Sequence, residues 1–260
     1  MSKLGVTILG SGSKGNCTLI HTETDGILID AGFSRREFLR RLKAAGLESL
    51  RIRAILVTHE HTDHINGLRP CAQALEVPIF ASRHCAEKLR SLDPDLGSLV
   101  RFAQGATFPI AEFNVTAFGV SHDTVDPVAF AVTSGEHKVG MATDLGRIGS
   151  TVTFHLRDCN VLVLESNHDL NMLAASKRCW SLKQRILGPQ GHLSNLQACE
   201  LLKQLAGPSL RHLILAHISQ ECNTPELALT AANAELQELG RQDIDLKAAS
   251  QNEPMPTVWC

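Results

Sequence analysis

The sequence lacks most features that would place it outside the ordinary globular proteins. Its 260 residues include no tyrosine, and aromatic residues make up only 4%. The eight cysteines form no C-x-x-C pair, so no disulfide framework is indicated and we expect reduced core cysteines. No apolar run is long enough to span a bilayer, and the amino terminus passes directly into a strand-like run without a signal peptide. We therefore expect a cytoplasmic protein that does not interact with membranes.

Charge of one sign is not in excess either. The formal net charge is −2, so the molecule as a whole gives no electrostatic indication of a nucleic-acid partner, and a local basic face would have to supply it. Hydrophobic residues make up 43% of the chain and charged residues 20%, which is typical of a globular protein with a sizeable core. At this length we expect a single domain over residues 1–260.

The hydrophobic pattern predicts an α+β fold. Short apolar or alternating runs predict strands at 6–10, 17–21, 26–29, 54–57, 78–81, 113–120, 128–133, 138–142, 161–164 and 213–216. Amphipathic segments with capping residues predict helices at 34–45, 65–75 and 150–157, from 194 onward, and at 224–239. This order predicts an αββα sandwich, in which two mixed β-sheets pack together with helices on the outer faces.

Histidine is abundant, with twelve residues, and four potential metal ligands are concentrated in one short segment. The segment reads T-H-E-H-T-D-H over 58–64; it follows a buried strand and precedes a helix. An irregular turn lets His59, His61, Asp63 and His64 converge on one point, because it does not impose the alternation of a strand. A polar loop with histidines by chance is the alternative, which the close ligand spacing disfavours.

Three later strands end in further metal-competent side chains. The predicted strands at 113–120, 138–142 and 213–216 are followed by His122, Asp144 and His217. Layered α/β folds place their sites at the carboxyl ends of strands, so we expect these side chains to share one pocket with the 58–64 segment.

Together these residues resemble the metallo-β-lactamase superfamily over nearly the whole chain. The resemblance implies that His59, His61 and His122 hold one metal ion, that Asp63, His64 and His217 hold a second, and that Asp144 bridges the two. Asp30 matches the early aspartate that steadies the ligand loop in that superfamily. True β-lactamases usually depart from this pattern at His64 or Asp144, so antibiotic hydrolysis is disfavoured.

The ligand set suits two divalent ions, Zn²⁺, Mn²⁺ or Fe²⁺. Two such ions can share a hydroxide that acts as the nucleophile, and on a phosphodiester they would also offset the charge of the transition state. The candidate catalytic residues are Asp63 and Asp144 from this ligand set, together with His192.

Four further motifs resemble the WalJ (YycJ) group of this superfamily. They read GSGSKGN at 10–16, ESNHD at 165–169, GHLSN at 191–195 and LAHIS at 215–219. The implied activity is exonuclease action on DNA in the 5′ to 3′ direction. A small-molecule phosphodiesterase, a glyoxalase-type thioester hydrolase and an inactive binding module are the alternatives. RNA cleavage and tRNA processing are weaker ones, because no long insertion between Asp144 and His217 and no exosite arm is visible.

The secondary motifs leave several roles open. Ser11, Ser13 and Asn16 could form a phosphate nest or only a hairpin connection. His192 precedes a helix amino terminus and is expected to bind phosphate or to protonate the leaving oxygen, although a surface role is the alternative. His168 and Asn195 could orient substrate or ligands, or could be structural.

Basic residues at 177–185, together with Trp180, favour nucleic-acid contact, because tryptophan offers a stacking surface. The arginines at 35, 36, 40 and 41 are expected to be solvated.

Overall fold

A computed structural model describes residues 3–260. The strands are β1 Gly5–Gly10, β2 Cys17–His21, β3 Asp25–Ile29, β4 Arg51–Leu56, β5 Ile79–Ser82, β6 Leu99–Phe102, β7 Thr107–Ile110, β8 Phe113–Gly119, β9 Val128–Ser134, β10 His137–Ala142, β11 Val161–Glu165, β12 His212–Ala216, β13 Asp245–Ala248 and β14 Val258–Trp259. The helices are α1 Arg35–Ala44, α2 Thr62–Ile65, α3 Leu68–Leu75, α4 Arg83–Leu92, α5 Ser150–Leu156, α6 Leu170–Ala175, α7 Trp180–Leu187, α8 Asn195–Leu205 and α9 Pro225–Glu238.

The strands form two seven-stranded mixed sheets. The first has the order β14-β1-β2-β3-β4-β5-β6, and the second has the order β13-β12-β11-β10-β9-β8-β7. In the first sheet β1, β2 and β3 pair antiparallel, and β3 to β6 pair parallel. The second sheet repeats this scheme, with β7 to β10 antiparallel and β10 to β13 parallel.

Three apolar layers confirm the predicted αββα sandwich. The central layer joins side chains of both sheets, such as Ile27 and Val163. A second layer packs Leu28 of the first sheet against Phe38 of α1, and a third packs Leu162 of the second sheet against Leu201 of α8. Burying alternate faces of each strand in different layers requires nearly continuous apolar runs, which is what β3, β11 and β12 have. Among residues 3–260 no helix combines the length and apolar character needed to cross a membrane.

One predicted helix is wrong in its bounds. The segment 65–75 is interrupted, because α2 ends at Ile65 and α3 begins at Leu68. The intervening Gly67 donates its N–H to Ala31 O, and a Cβ at this position would lie 1.7 Å from Phe33 O. The chain therefore leaves the helix where its backbone touches a neighbouring segment. The single domain over residues 1–260 stays a prediction.

The other differences are elements that the pattern did not predict. Helices α6 and α7 and strands β6, β7, β13 and β14 have eight residues or fewer and α4 has ten, and most of the residues in these elements are not buried. The predicted capping residues are present: Ser34 accepts from the Glu37 N–H, Thr224 caps α9, and Ser194 and Gln197 form a complete capping box on α8.

Candidate metal centre

The ligand loop is fastened to the first sheet by Asp30, which directly follows β3. Its carboxylate accepts hydrogen bonds from the backbone N–H and the hydroxyl of Thr58, each at 2.8 Å. It also lies 2.7 Å from His64 Nδ1. A carboxylate can only accept, so Nδ1 of His64 carries the proton and Nε2 is left with its lone pair. Asp30 thus sets the tautomer of His64 and anchors the start of the loop.

Three histidine rings meet in a first cluster. His59 Nε2 lies 3.1 Å from His61 Nδ1, and His122 Nε2 lies 3.3 Å from the same atom. Two ligands on a tetrahedral zinc with bonds of about 2.0–2.1 Å are separated by about 3.3 Å, so these spacings suit one ion. The His122 ring is oriented by Gly191 O, which accepts from Nδ1 at 3.1 Å.

A second cluster joins Asp63, His64 and His217. Asp63 Oδ2 lies 3.5 Å from His64 Nε2 and 3.7 Å from His217 Nε2. Asp144 lies between the clusters: its Oδ1 is 3.7 Å from His122 Nε2, and its Oδ2 is 3.4 Å from His64 Nε2. One carboxylate therefore faces both groups of ligands.

Unpaired buried atoms test whether these residues fit metal ions. Within residues 3–260, Asp144 Oδ2 and His217 Nε2 are buried and have no hydrogen-bond partner. Buried polar atoms normally have partners, because leaving them unpaired is costly. Both atoms face the cluster of candidate ligand atoms, which lie within 4.8 Å of one another in each group. Imidazole nitrogens and carboxylate oxygens are suitable donors for divalent Zn, Mn or Fe, so the residues fit the expected ions.

Glu165 organises the site, although the sequence analysis gave it no role. It ends the apolar strand β11 and is fully buried. Its Oε1 lies 2.9 Å from His217 Nδ1 and 2.9 Å from His192 Nδ1. Its Oε2 accepts the backbone N–H groups of Leu145 and Leu193, both at 2.9 Å. A single carboxylate therefore directs Nε2 of both histidines away from itself. A charged residue ending an otherwise apolar strand was the signal for it.

The pKa shifts follow from burial and from the opposite charges in the cluster. Burial, and then the neighbouring His64, keep the pKa of His59 well below its usual value, which favours the neutral ring that binds metals. Burial acts to raise the pKa of Glu165, but His192 and His217 hold it at about 2. Burial acts to lower the pKa of His217, but Asp144, Asp63 and Glu165 raise it to about 10. The carboxylates are therefore ionised and attract cations.

Residues of the 10–16 segment hydrogen-bond to two of the candidate ligands, His217 and Asp63. The Ser11 hydroxyl accepts the backbone N–H of His217 at 2.9 Å and donates to Asn16 Oδ1 at 3.2 Å. Asn16 Nδ2 in turn lies 3.1 Å from Asp63 Oδ2. Both side chains are buried, so they hold protein groups in place, whereas Ser13 is exposed and lines the pocket above the clusters.

The remaining predicted residues divide between pocket and interior. His192 lines the pocket. His168 is fully buried and does not line it, and neither of its ring nitrogens has a hydrogen-bond partner among residues 3–260. Asn195 is also buried and bonds to Ser166 and Asn223. The structure thus brings His192 to the site and places His168 and Asn195 behind it.

Three further side chains line the pocket: Asp123, which the sequence did not single out, and Arg178 and Arg185, which lie in the basic segment predicted to contact nucleic acid. Asp123 follows the ligand His122, and its Oδ1 lies 3.5 Å from His122 Nε2 and 3.8 Å from His61 Nε2. Its Oδ2 accepts from Arg185 Nε. Arg178 lines the same pocket and donates from Nε to Glu221 at 3.1 Å. Both arginines belong to the basic 177–185 segment, in which Arg178 precedes α7 and Arg185 lies within it.

Comparison with known proteins gives a consistent assignment. A family model described as "Beta-lactamase superfamily domain" matches residues 26–218. The exodeoxyribonuclease YycJ of Bacillus anthracis is 33% identical over 239 residues, which cover 91% of this chain and 90% of that protein. The exodeoxyribonuclease WalJ of Streptococcus pneumoniae is 31% identical over 234 residues, which cover 88% of this chain and 87% of that protein.

A solved structure shows the same fold. The metallo-β-lactamase fold protein YhfI of Bacillus subtilis superposes with a TM-score of 0.72 at 16% identity, covering 97% of this chain and 99% of that chain. The fold and the site define a metal-dependent hydrolase. The chain belongs to the metallo-β-lactamase superfamily and, within it, to the WalJ (YycJ) group.

Proposed function

We propose that this hydrolase is a dinuclear metal-dependent phosphodiesterase that removes nucleotides from the ends of DNA in the 5′ to 3′ direction. The observation that carries the proposal is the position of Asp144, whose two oxygens lie 3.7 Å and 3.4 Å from nitrogens of two separate ligand groups. A DNA substrate is supported by the resemblance to relatives named as exodeoxyribonucleases over about nine-tenths of their length. The cytoplasmic location expected from the sequence is part of this proposal.

The proposed ligands divide into two sets that share Asp144. His59, His61 and His122 would hold one ion, and Asp63, His64 and His217 would hold the other. When bound, two divalent ions supply a water with a pKa lowered towards about 7 and offset negative charge on the phosphodiester oxygens. The residues around them fix the ligand rings, since Asp30 accepts a hydrogen bond from the Nδ1–H of His64 and Glu165 accepts one from the Nδ1–H of His217.

His192 is the proposed acid for the leaving oxygen. Its Nδ1 is paired with the ionised Glu165 at 2.9 Å, and the ring lines the pocket. Because Nδ1 donates to Glu165, the proton that the ring can transfer is one at Nε2, on the side away from Glu165. Transfer of that proton to the departing oxygen leaves a neutral ring that still donates to Glu165, so the ring keeps its orientation through the reaction.

The test is digestion of end-labelled DNA with Mn²⁺, Zn²⁺ or Fe²⁺. Attack from the 5′ end releases a 5′ label at once as a short product, while a 3′ label stays on progressively shorter strands. We expect Asp63→Ala and His192→Ala to lose most of the activity, and the control His137→Ala, a half-exposed histidine at the start of β10, to retain it. If DNA stays intact with every metal while a thioester or a small phosphodiester is hydrolysed, the proposed DNA substrate is wrong and the hydrolysed compound shows the substrate class.

A further inference from the structure

Two arginines bring positive charge to a pocket that is otherwise acidic. Within residues 3–260, Arg178 and Arg185 are the only lysine or arginine side chains that line the pocket of the metal centre. The carboxylates of Asp63, Asp123 and Asp144 line it as well. A nucleic-acid strand carries a charge on every phosphate, so phosphates beyond the one at the metal ions need another source of positive charge.

Each of the two guanidinium groups is held at its Nε by a neighbouring carboxylate. Arg178 donates from Nε to Glu221 Oε2 at 3.1 Å, and Arg185 donates from Nε to Asp123 Oδ2. In the part of the chain that the structure describes, the terminal Nη groups of both side chains have no protein acceptor. A guanidinium held by Nε keeps its planar pair of Nη groups free, and this pair matches the oxygens of a phosphate.

The two arginines flank different halves of the metal centre. The partner of Arg185 is Asp123, which is adjacent to His122 of the first ligand cluster. The partner of Arg178 is Glu221, in the loop that follows His217 of the second cluster. Arg178 directly precedes the N-cap of α7 and Arg185 lies in its last turn, so the two Cα atoms are separated by roughly 10 Å. This separation suits two different phosphates better than one.

We propose that Arg178 and Arg185 bind the phosphates on either side of the scissile one, so that the site selects nucleic-acid strands of several nucleotides over single phosphodiesters. This inference rests on the proposed function of the centre. Trp180 lies between the two arginines in the sequence, at the start of α7, and is 68% exposed. An exposed indole on the same helix offers a base a stacking surface without sequence preference.

The test compares Arg178→Ala and Arg185→Ala with wild type on a dinucleotide and a decanucleotide of DNA. Each variant is expected to lose about 10- to 100-fold in kcat/KM on the decanucleotide, mainly through KM, and clearly less on the dinucleotide. The matched control is Arg147→Ala, an exposed arginine that lines the neighbouring cavity and is expected to match wild type. Arg185→Lys keeps the charge beside Asp123 but loses the planar fork, so an intermediate loss is expected.

Binding supplies a second readout that does not depend on cleavage. Fluorescence anisotropy of a labelled phosphorothioate decanucleotide, which resists cleavage, on the metal-loaded protein at several salt concentrations should give each alanine variant a salt slope that is smaller by about 0.7. Variants with wild-type affinity and slope, or equal losses on both substrate lengths, would overturn the inference and leave the proposed function standing. Wild-type protein that cleaves neither substrate would overturn the proposed function, and the inference with it.

Discussion

Glu165 Oε1 lies 2.9 Å from His217 Nδ1, and both residues are buried at the ends of adjacent parallel strands, β11 and β12. This pairing fixes which nitrogen of His217 faces Asp63. The metal centre therefore depends on a residue that is not itself a proposed metal ligand, because both carboxylate oxygens of Glu165 already accept hydrogen bonds from protein groups.

Glu165→Gln should weaken metal binding more than it changes the fold. The glutamine amide has one acceptor oxygen in place of the two charged oxygens of the carboxylate. Its NH₂ group would face histidine or backbone N–H groups that need an acceptor. Loss of a residue that orients ligands typically costs about 10- to 100-fold in metal affinity. Competitive titration with a fluorescent chelator measures this, with Glu238→Gln on the exposed side of α9 as the control. Unchanged affinity in Glu165→Gln would show that His217 needs no such anchor.

Asp30→Asn should affect the second ligand cluster before the first. Asp30 contacts the ligand His64 directly at Nδ1, whereas it reaches His59 of the first cluster only through the hydroxyl of Thr58, which lies 3.0 Å from His59 Nδ1. Metal content per chain, measured by inductively coupled plasma spectrometry after dialysis, is expected to fall from two ions toward one. The exposed Asp95→Asn serves as the comparison. Loss of both ions, or retention of both, would contradict the prediction that Asp30 mainly supports the second site.

Gly32→Ala should displace the ligand loop. A Cβ on Gly32 would lie 1.8 Å from Asp63 O and 2.6 Å from Asn16 N, both of them backbone atoms that cannot rotate away. We expect a loss of about 1–3 kcal/mol or more in the free energy of unfolding, together with weaker metal binding. Gly97→Ala, where nothing lies within 4 Å, should change the unfolding energy by less than about 0.5 kcal/mol. Urea unfolding of the two variants checks the difference, and equal stability would be the contrary result.

Glu37→Gln should destabilise the protein in a pH-dependent way. The hydrogen bond from Arg40, and then that from Arg41, lower the pKa of Glu37 from 4.5 to about 2. Because the pKa of the folded state is lowered, the stabilisation is present above the unfolded value of 4.5 and is lost as the pH falls towards 2. The difference in unfolding energy between wild type and variant should therefore shrink between pH 5 and pH 3.

The control for this prediction is Glu48→Gln, a substitution of an exposed carboxyl in the turn after α1. Urea unfolding from pH 7 to pH 3 should show almost no pH-dependent difference for that variant. If the Glu37→Gln difference stays constant over this range, the ion pair with α1 arginines does not contribute through its charge.

The proposed metal ligands were predictable because they follow apolar strands: four come after β4, and one comes after each of three later strands. Val115 to Gly119, Val139 to Ala142 and Leu213 to Ala216 are recognisable runs, and His122, Asp144 and His217 come just after them. The backbone conformations of the ligands and of the residue that anchors their loop were not predictable. Asp30, Asp144 and His217 have positive φ angles of 61°, 58° and 54°. Such strain is tolerated only where the surrounding contacts enforce it, and those contacts are tertiary.

The support of the site was harder to predict than its ligands. Glu165 and Asp123 are single carboxylates whose roles depend on distant partners. The partners of Glu165, His192 and His217, lie 27 and 52 residues away in the sequence, and Arg185, the partner of Asp123, lies 62 residues away. Helix α7 has mixed polarity with one buried residue, Ile186, so no clear periodicity indicated it. What the sequence indicated there was only a run of basic residues around Trp180. Its position beside the pocket required the folded chain.

The central claim is that two ions occupy two ligand sets that share Asp144, and anomalous diffraction from metal-loaded crystals tests it most directly. We expect two anomalous peaks, one within bonding distance of His59, His61 and His122, and the other of Asp63, His64 and His217, with Asp144 touching both. A single peak, or one held by Glu165 and His192 in place of these sets, would contradict the account.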